Sequence, residues 1–479
     1  MSEMKQKKMQ KLNSAETVER RVLAKRKAVQ APVTATQSAG QAASGFYRLH
    51  AAAKRAPDLQ FNNVLHHITC ALLRDAYFAL NRRSAKGIDE QSWQTYGEEN
   101  LERKLQDLHA RVHTGRYHPK PSKRIWIPKA DGTSRPIGIA AIEDKIVQQA
   151  LVWVIQEIYE ADFQGFSYGF RPGKSQHNAL DALYMAITTK KVSWVLDADI
   201  QGFFDNLDHE WLMHFISHRI SDKRVLELVI RTLRAGTEED GQRSKSAVGT
   251  PQGAVISPLL ANIYLHHVLD LWVTHWRKHH TRGELYIVRY ADDFVIGFQY
   301  KDDGERFQGD LEQRLAEYNL TLHPDKTRLI EFGRFAQSNR QARGQSKPDT
   351  FNFLGFTHIC GQRRDDKGFK LLRQTIAKKQ RQTVHRIKHT LMKINRAEIH
   401  LQGKWLRQVV QGYMNYFGVP SNRGSLEGFR AEICRGWYKA LRRRGNKKPM
   451  SWKRLQKYIR LWIPSVRIVH PYPNQRWRV

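Results

Sequence analysis

The chain is poor in cysteine, with three in 479 residues. Cys70, Cys360 and Cys434 lie far apart and form no CxxC pair, so neither a disulfide framework nor a zinc site is indicated, and a reducing, cytoplasmic setting is expected. Long apolar runs are missing as well. No stretch approaches the roughly 18 residues that span a bilayer, and the first residues are charged where a secretory leader needs an apolar core, so no membrane partner is expected. The third shortage is local. Residues 361–479 hold five acids, Asp365, Asp366, Glu398, Glu427 and Glu432, against 30 Lys and Arg. A nuclease site built on two metals needs several converging carboxylates, which this scattered set does not supply.

That imbalance concentrates charge. The segment 361–479 carries a net +25 of the chain's +34, residues 1–45 carry +6, and the long middle carries only +3. Self-repulsion on this scale works against a compact domain unless a polyanion neutralises it, and nucleic acid is the natural one. Arg442, Arg443, Arg444, Lys447 and Lys448 form the densest cluster and are the candidate nucleic-acid contacts, with an affinity that should fall steeply with salt.

The informative acids sit in the near-neutral middle. Tyr290-Ala291-Asp292-Asp293 lies between Leu285-Tyr286-Ile287-Val288 and Phe294-Val295-Ile296-Gly297-Phe298, a pattern that predicts a β-hairpin with the acids at its turn. Adjacent carboxylates repel and raise one another's pKa. A solvated Asp-Asp turn is the plain reading; Mg²⁺, held through one or two carboxylates beside phosphates, is the chemical one. Upstream, Trp194-Val195-Leu196-Asp197-Ala198-Asp199-Ile200 predicts a second strand ending in acids. Two such ends side by side can hold two metals, one activating a 3′-hydroxyl and one stabilising a leaving pyrophosphate.

With the box Asp199-Ile200-Gln201-Gly202-Phe203-Phe204-Asp205-Asn206-Leu207-Asp208-His209, and with Gly249-Thr250-Pro251-Gln252-Gly253 continuing to Asn262, these motifs resemble reverse transcriptases of the group II intron type. Lys123 to Lys129 with Arg135 to Ile139, Gly165 to Gly173, Leu322 to Thr327 and Phe351 to Phe356 follow the family's order, and the likeness covers about 70 to 440. The resemblance implies a right-hand polymerase of the α+β class: fingers and palm, then a helical thumb. It implies Asp199 and Asp292 as principal ligands of two Mg²⁺, with Asp293 beside them although its side chain is expected to alternate away, and the Ile200 carbonyl as an extra ligand. Lys129 and Arg135 would hold the triphosphate of a deoxynucleotide. Gln252 matches the residue that contacts the nucleotide, Phe204 the one that crowds a ribose 2′-hydroxyl, and Lys326 a lysine near the pyrophosphate that can act as a general acid; plain core packing remains the other reading of Phe204. The implied partners are an RNA template, a structured intron RNA, a DNA primer or target, and deoxynucleoside triphosphates. Family members with a further endonuclease domain carry paired Cys and His there, and this chain has none, so synthesis without cutting is expected. A free-standing enzyme of the same type used in defence or repair, and an RNA-binding maturase with idle catalysis, are the alternatives.

The expected organisation is a basic extension and linker over 1–45, with a helix in 1–30 and a flexible stretch at 31–45. A helical region follows over 46–120, including a helix from Asn63 to Leu80, the Lys86-Gly87-Ile88-Asp89 turn, and a helix from Leu101 to Val112. Fingers and palm occupy 121–360, and thumb and maturase region 361–440, with helices over Leu371–Ile394 and Trp405–Tyr416 and the motif Gly412-Tyr413-Met414-Asn415-Tyr416-Phe417. A basic tail at 441–479 ends the chain.

Overall fold

The computed structural model describes residues 37–128, 134–244, 248–363, 365–444 and 450–476. Apolar and β-branched residues flanking 129–133 pair as an antiparallel hairpin, β1 (Ser122–Pro128) with β2 (Ser134–Ile139). β3 (Trp194–Asp199) belongs to a second sheet. The short β4 (Thr237–Glu239) and β5 (Gln242–Ser244) extend the first hairpin to the order β2-β1-β4-β5. β6 (Leu285–Tyr290), β7 (Asp293–Phe298) and β8 (Arg328–Glu331) complete an antiparallel central sheet ordered β6-β7-β3-β8. β9 (Phe351–Phe353), β10 (Phe356–Gln362) and β11 (Phe369–Thr375) form a third, ordered β11-β10-β9. With the helices between them, the class is mixed α+β.

Alternation along the strands buries the central sheet on both faces. Leu196, Ala198, Phe294 and Ile296 enter the main core, which also takes in helix Ile142–Tyr159, apolar on most sides. Val195, Val288 and Val295 meet Ala179, Leu180 and Leu183 of helix Gln176–Thr189. Asp197 and Asp199 share the parity of Val195. They therefore lie on this second face, toward the strand's end.

Helices Ala377–Lys393, Ile399–Phe417, Arg423–Arg442 and Trp452–Trp462 build a separate core around Trp437, with Val384, Ile387, Leu391, Leu406, Val410, Leu426, Phe429, Ile433, Leu455 and Ile459. Each such side chain contributes roughly 1.5–3 kcal/mol, which is what holds together a unit so rich in positive charge.

Several elements differ from the sequence-based expectation. The helix expected over Asn63–Leu80 is a single 3₁₀ turn, Leu65–His67, and then helix Cys70–Ala79, because the Thr69 hydroxyl accepts from the Leu72 N–H at 3.1 Å and caps a new start. Part of the expected flexible stretch is helix Gln37–Arg55, whose many alanines favour that state; the expected helix in residues 1–30 lies outside the described residues. Leu371–Thr375 is strand, not helix. Leu371, Arg373 and Thr375 are buried with period two, and the third sheet crosses the boundary expected at 360/361. Nor is 450–476 a tail: Leu455 and Ile459 are core residues, the His470 ring stacks on His177 at 3.8 Å, and Arg476 pairs with the buried Asp181 at 3.1 Å. Among the described residues no helix is long and apolar enough to cross a membrane.

The Gly412–Phe417 motif is part of the joint between the helical unit and the sheets. Tyr413 stacks on Phe429 at 3.7 Å, the Tyr416 hydroxyl donates to the Leu354 carbonyl at 2.9 Å, and Tyr416 and Phe417 pack on Phe356. Beside it, fully buried Asn422 accepts from the Thr375 N–H at 2.9 Å and donates to the Thr375 hydroxyl and the Phe417 carbonyl, both at 2.8 Å. Asn422→Ala leaves these partners unsatisfied at roughly 1–3 kcal/mol each. The variant should unfold at a clearly lower urea concentration than wild type; an unchanged midpoint would show that the joint does not depend on Asn422.

Candidate active site

The turn that carries the acids is held by charge buried beneath it. β6 and β7 are joined by the two residues Ala291 and Asp292, and Ala291 sits at φ 58°, in the left-handed region an L-residue enters at a cost of about 1–2 kcal/mol. Arg289, fully buried, donates through Nη1 to the Ala291 carbonyl at 3.0 Å and to Asn262 Oδ1 at 3.1 Å. Its Nε and Nη2 donate to the two oxygens of equally buried Asp270 at 2.7 and 2.5 Å. The segment 165–173 runs alongside: Tyr168 N–H donates to the Arg289 carbonyl and Arg289 N–H to the Phe166 carbonyl, both at 2.9 Å, while Asn262 Nδ2 donates to the Gly169 carbonyl at 2.7 Å. A β-carbon on Gly169 would strike the Ala291 backbone nitrogen, so only glycine admits this approach.

Four carboxylates result. Asp293 stands directly opposite Asp199 in the β3–β7 register, so strand alternation brings it to Asp199 rather than away. Asp197, two residues before Asp199 on the same face, joins them; sequence reading passed over it, although the i, i+2 spacing in a strand was the available signal. Burial, and then the charges of Asp197, Asp292 and Asp199, push the Asp293 carboxyl up to about 7. Burial raises Asp197 to about 6, with Asp199 adding and Arg328 opposing, and burial with the Asp199 charge raises Asp292. Four cations from three other segments answer this. Lys326 Nζ lies 2.6 Å from Asp199 Oδ2, Arg328 lies 3.7 Å from Asp197, and the Arg135 and Lys379 charges favour ionised Asp292 and Asp293 respectively.

Ile200 follows Asp199 and is bridged antiparallel to Leu322, with Gln201 N–H on the Thr321 carbonyl at 2.9 Å and His323 N–H on the Asp199 carbonyl at 2.7 Å. In that pattern Ile200's own carbonyl points away from the Leu322 loop, to the side of β7. Among the described residues no three His, Cys, Asp or Glu side chains converge into a metal cage. Mg²⁺ does not require one, since it keeps waters and substrate phosphates beside one or two carboxylates. Carboxyls driven up by burial and then by one another's charge, with a lysine ammonium already seated on Asp199, form a donor set that fits a hard divalent cation.

Of the remaining candidates, Phe204, Gln252 and Arg135 have described side chains outside the basic cluster at 442–448. Phe204 sits in the 3₁₀ turn Phe203–Asp205, half-buried, its ring edge-on to fully buried Phe203 at 5.4 Å. Gln252 comes to the same turn, its Nε2 donating to Asp205. Arg135 is exposed on β2, opposite Ile127. Lys129 lies outside the described residues, as do Lys447 and Lys448. Arg442 and Arg443 are exposed, the former over the Tyr438 ring at 5.7 Å, and both are far along the chain from the carboxylates. Arg444 is spent on structure: its guanidinium donates to the Ala397 carbonyl. The sequence reading missed a nearer basic face, Lys378, Lys379, Arg381 and Arg386, exposed on helix Ala377–Lys393.

Comparison with known proteins bears on these motifs. Residues 127–358 match the family described as reverse transcriptase (RNA-dependent DNA polymerase). Protein YkfC of Escherichia coli K12 is 34% identical over 312 residues, 57% of this chain and 80% of YkfC. The group II intron-encoded protein LtrA of Lactococcus lactis is 39% identical over 191 residues, 40% of this chain and 31% of LtrA. A putative COX1/OXI3 intron 1 protein of Saccharomyces cerevisiae is 27% identical over 271 residues, 47% of this chain and 32% of that protein. The match thus spans four fifths of YkfC but only about a third of the two intron proteins.

The raised Asp293 carboxyl makes stability depend on pH. Its folded pKa, about 7, lies above that of an unfolded Asp, so the folded chain binds the extra proton and stability from this group is lost as pH rises from about 4 through about 7. In chelator, the stability difference between Asp293→Asn and wild type should therefore widen across that window in favour of the variant. Urea midpoints taken at successive pH values measure it, and parallel curves would mean that Asp293 is not held in this state.

Proposed function

The chain belongs to the reverse transcriptases of the group II intron type, RNA-directed DNA polymerases, and on that footing we propose that Asp199 and Asp292, with Asp293 and the Ile200 carbonyl, hold two Mg²⁺ at a primer terminus. The observation that carries this reading is the pairing of Asp199 with Asp293 across adjacent strands, beside a hairpin turn clamped at Ala291, the residue before Asp292. Bound there, Mg²⁺ would favour the 3′-oxyanion and offset charge on the leaving pyrophosphate.

The protein's own groups do the rest. Arg135 on β2, and Lys129 as the family resemblance implies, would offer a forked and a point-like contact to a triphosphate. Lys326 neutralises Asp199 and can turn to a phosphate or donate its proton to the pyrophosphate. The free edge of Phe204 limits the room beside the sugar, a role compatible with its packing on Phe203. In this reading the first sheet serves as fingers, the central sheet as palm, and the helices from Ala377 as thumb and maturase region. The basic face Lys378–Arg386 leads from the carboxylates along the helical unit and suits the backbone of a template–primer duplex. The net +25 of residues 361–479 favours a larger polyanion too, and a structured intron RNA, bound to assist splicing or mobility, is the proposed one.

Asp292→Ala should lower single-turnover primer extension on an RNA template more than about a thousandfold, the scale of several kcal/mol of lost charge stabilisation. RNA affinity should stay within a few-fold, since the basic surface is untouched. Extension at near wild-type rate would remove Asp292 from the site. Separately, Phe204→Val should raise ribonucleotide incorporation relative to deoxynucleotide in single-nucleotide assays; unchanged discrimination would leave Phe204 to packing alone.

A further inference from the structure

Asp205, next to Phe204, has no role in the mechanism above, yet both of its carboxylate oxygens lie within reach of the Gln252 side chain: Nε2 donates to Oδ1 at 3.2 Å and Oδ2 at 3.3 Å. The backbone around Gln252 is already fixed. Gly138 N–H of β2 donates to the Gln252 carbonyl at 2.8 Å, Thr250 N–H to the Phe204 carbonyl at 2.8 Å, and Gly249 N–H to the Leu207 carbonyl at 2.7 Å. His209 Nε2 donates to the Gly249 carbonyl at 2.6 Å. Gly249 sits at φ +83°, and a β-carbon there would lie 2.7 Å from the Asp205 carbonyl oxygen, so the loop is pressed against the turn.

None of these bonds chooses which end of the amide faces where. The last torsion of glutamine is broad and close to two-fold, and its oxygen and nitrogen have nearly the same shape. A carboxylate only accepts, so Asp205 draws the NH₂ end toward itself and leaves Oε1 turned away. Asp205 and Gln252 both line a notch of ≈ 290 Å³, together with Arg124, Pro136, Gly138 and Thr250.

We propose that Asp205 is a positioning residue: it orients the Gln252 amide so that the incoming nucleotide meets an acceptor, and it thereby sets affinity for a sugar hydroxyl. This rests on the reading of Gln252 as a nucleotide contact and of Phe204, on the same turn, as facing the sugar. Removing Asp205 leaves the amide free to present either end, which weakens binding of the nucleotide without touching the carboxylates that carry the chemistry.

The test is a double-variant cycle read by single-nucleotide extension. Asp205→Ala should raise KM for the deoxynucleotide by roughly three- to tenfold, the scale of one net hydrogen bond, with kcat within about twofold. Gln252→Ala should do the same. The double variant should match Gln252→Ala alone, because Asp205 acts only through that side chain. Asp205→Asn, whose amide oxygen still accepts, should recover most of the affinity, and discrimination against a 3′-deoxy analogue should shrink in Asp205→Ala. If Gln252→Ala leaves KM unchanged, the nucleotide contact fails and this inference with it. If Gln252→Ala raises KM while Asp205→Ala does not, or if the two effects multiply, the inference alone fails. A fall in kcat and melting temperature at unchanged KM would make Asp205 a structural residue and overturn it as well.

Discussion

The pairing of Arg289 with Asp270, both out of contact with solvent, is the interaction on which the carboxylate site depends. Taking two charges out of water costs several kcal/mol per ion, and their attraction offsets this only where the remaining donors are also used. Here they are: the guanidinium reaches both Asp270 oxygens, the Asn262 side-chain oxygen and the Ala291 carbonyl. A well-packed apolar pair would often be as stable. What such a pair would not do is hold Ala291 in a left-handed conformation, and with it the direction of Asp292. The buried charge thus converts stability into geometry, at a turn whose strain would otherwise relax.

Above that turn the balance is electrostatic. Two like charges about 4 Å apart repel by about 4 kcal/mol at the effective dielectric of a protein surface, so Asp197, Asp199, Asp292 and Asp293 cannot all be ionised unless cations approach. Lys326 and Arg328, two residues apart, together with Arg135 and Lys379 come from three separate segments, and each faces a different acid. The carboxyl of Asp293 is raised by its burial first and then by the neighbouring acids that these cations do not fully offset. A divalent ion would answer the same need more strongly, which ties the protonation state of the site to its metal content.

The helical unit meets the sheets through a joint that combines aromatic packing of Tyr416 and Phe417 on Phe356 with a set of polar contacts. Asn422 bridges Thr375 and Phe417, Tyr416 reaches Leu354 and His177, and the residues after Trp462 return across helix Gln176–Thr189 through His470 and Arg476. Lys379 lies a few residues beyond this joint on one side, and Asp293 faces it from the other. The angle set at the joint therefore decides how the basic face of helix Ala377–Lys393 stands over the carboxylates.

The hairpin at Tyr290-Ala291-Asp292-Asp293, the strand ending at Asp199, the β1–β2 pairing and the α+β class were all readable from residue order, because each is set by local alternation and turn chemistry. So was the basic character of the last quarter, which is a matter of composition. Other features depend on partners distant in sequence. Leu371–Thr375 has an apolar spacing that suits either helix or strand, and only pairing with β10 makes it strand. Arg444 reads as one more surface cation until the Ala397 carbonyl is found beneath it. Asp293 was assigned away from Asp199 by counting along one strand, whereas the register with a neighbouring strand puts them opposite each other. Arg289 with Asp270, and Asp205 with Gln252, are separated by 19 and 47 residues, and nothing local in either partner announces the other. The sequence by itself thus determined which residues could carry the chemistry. Tertiary structure decided which of them meet and in what orientation, because cross-strand register, burial and the pairing of charges depend on contacts that periodicity does not encode.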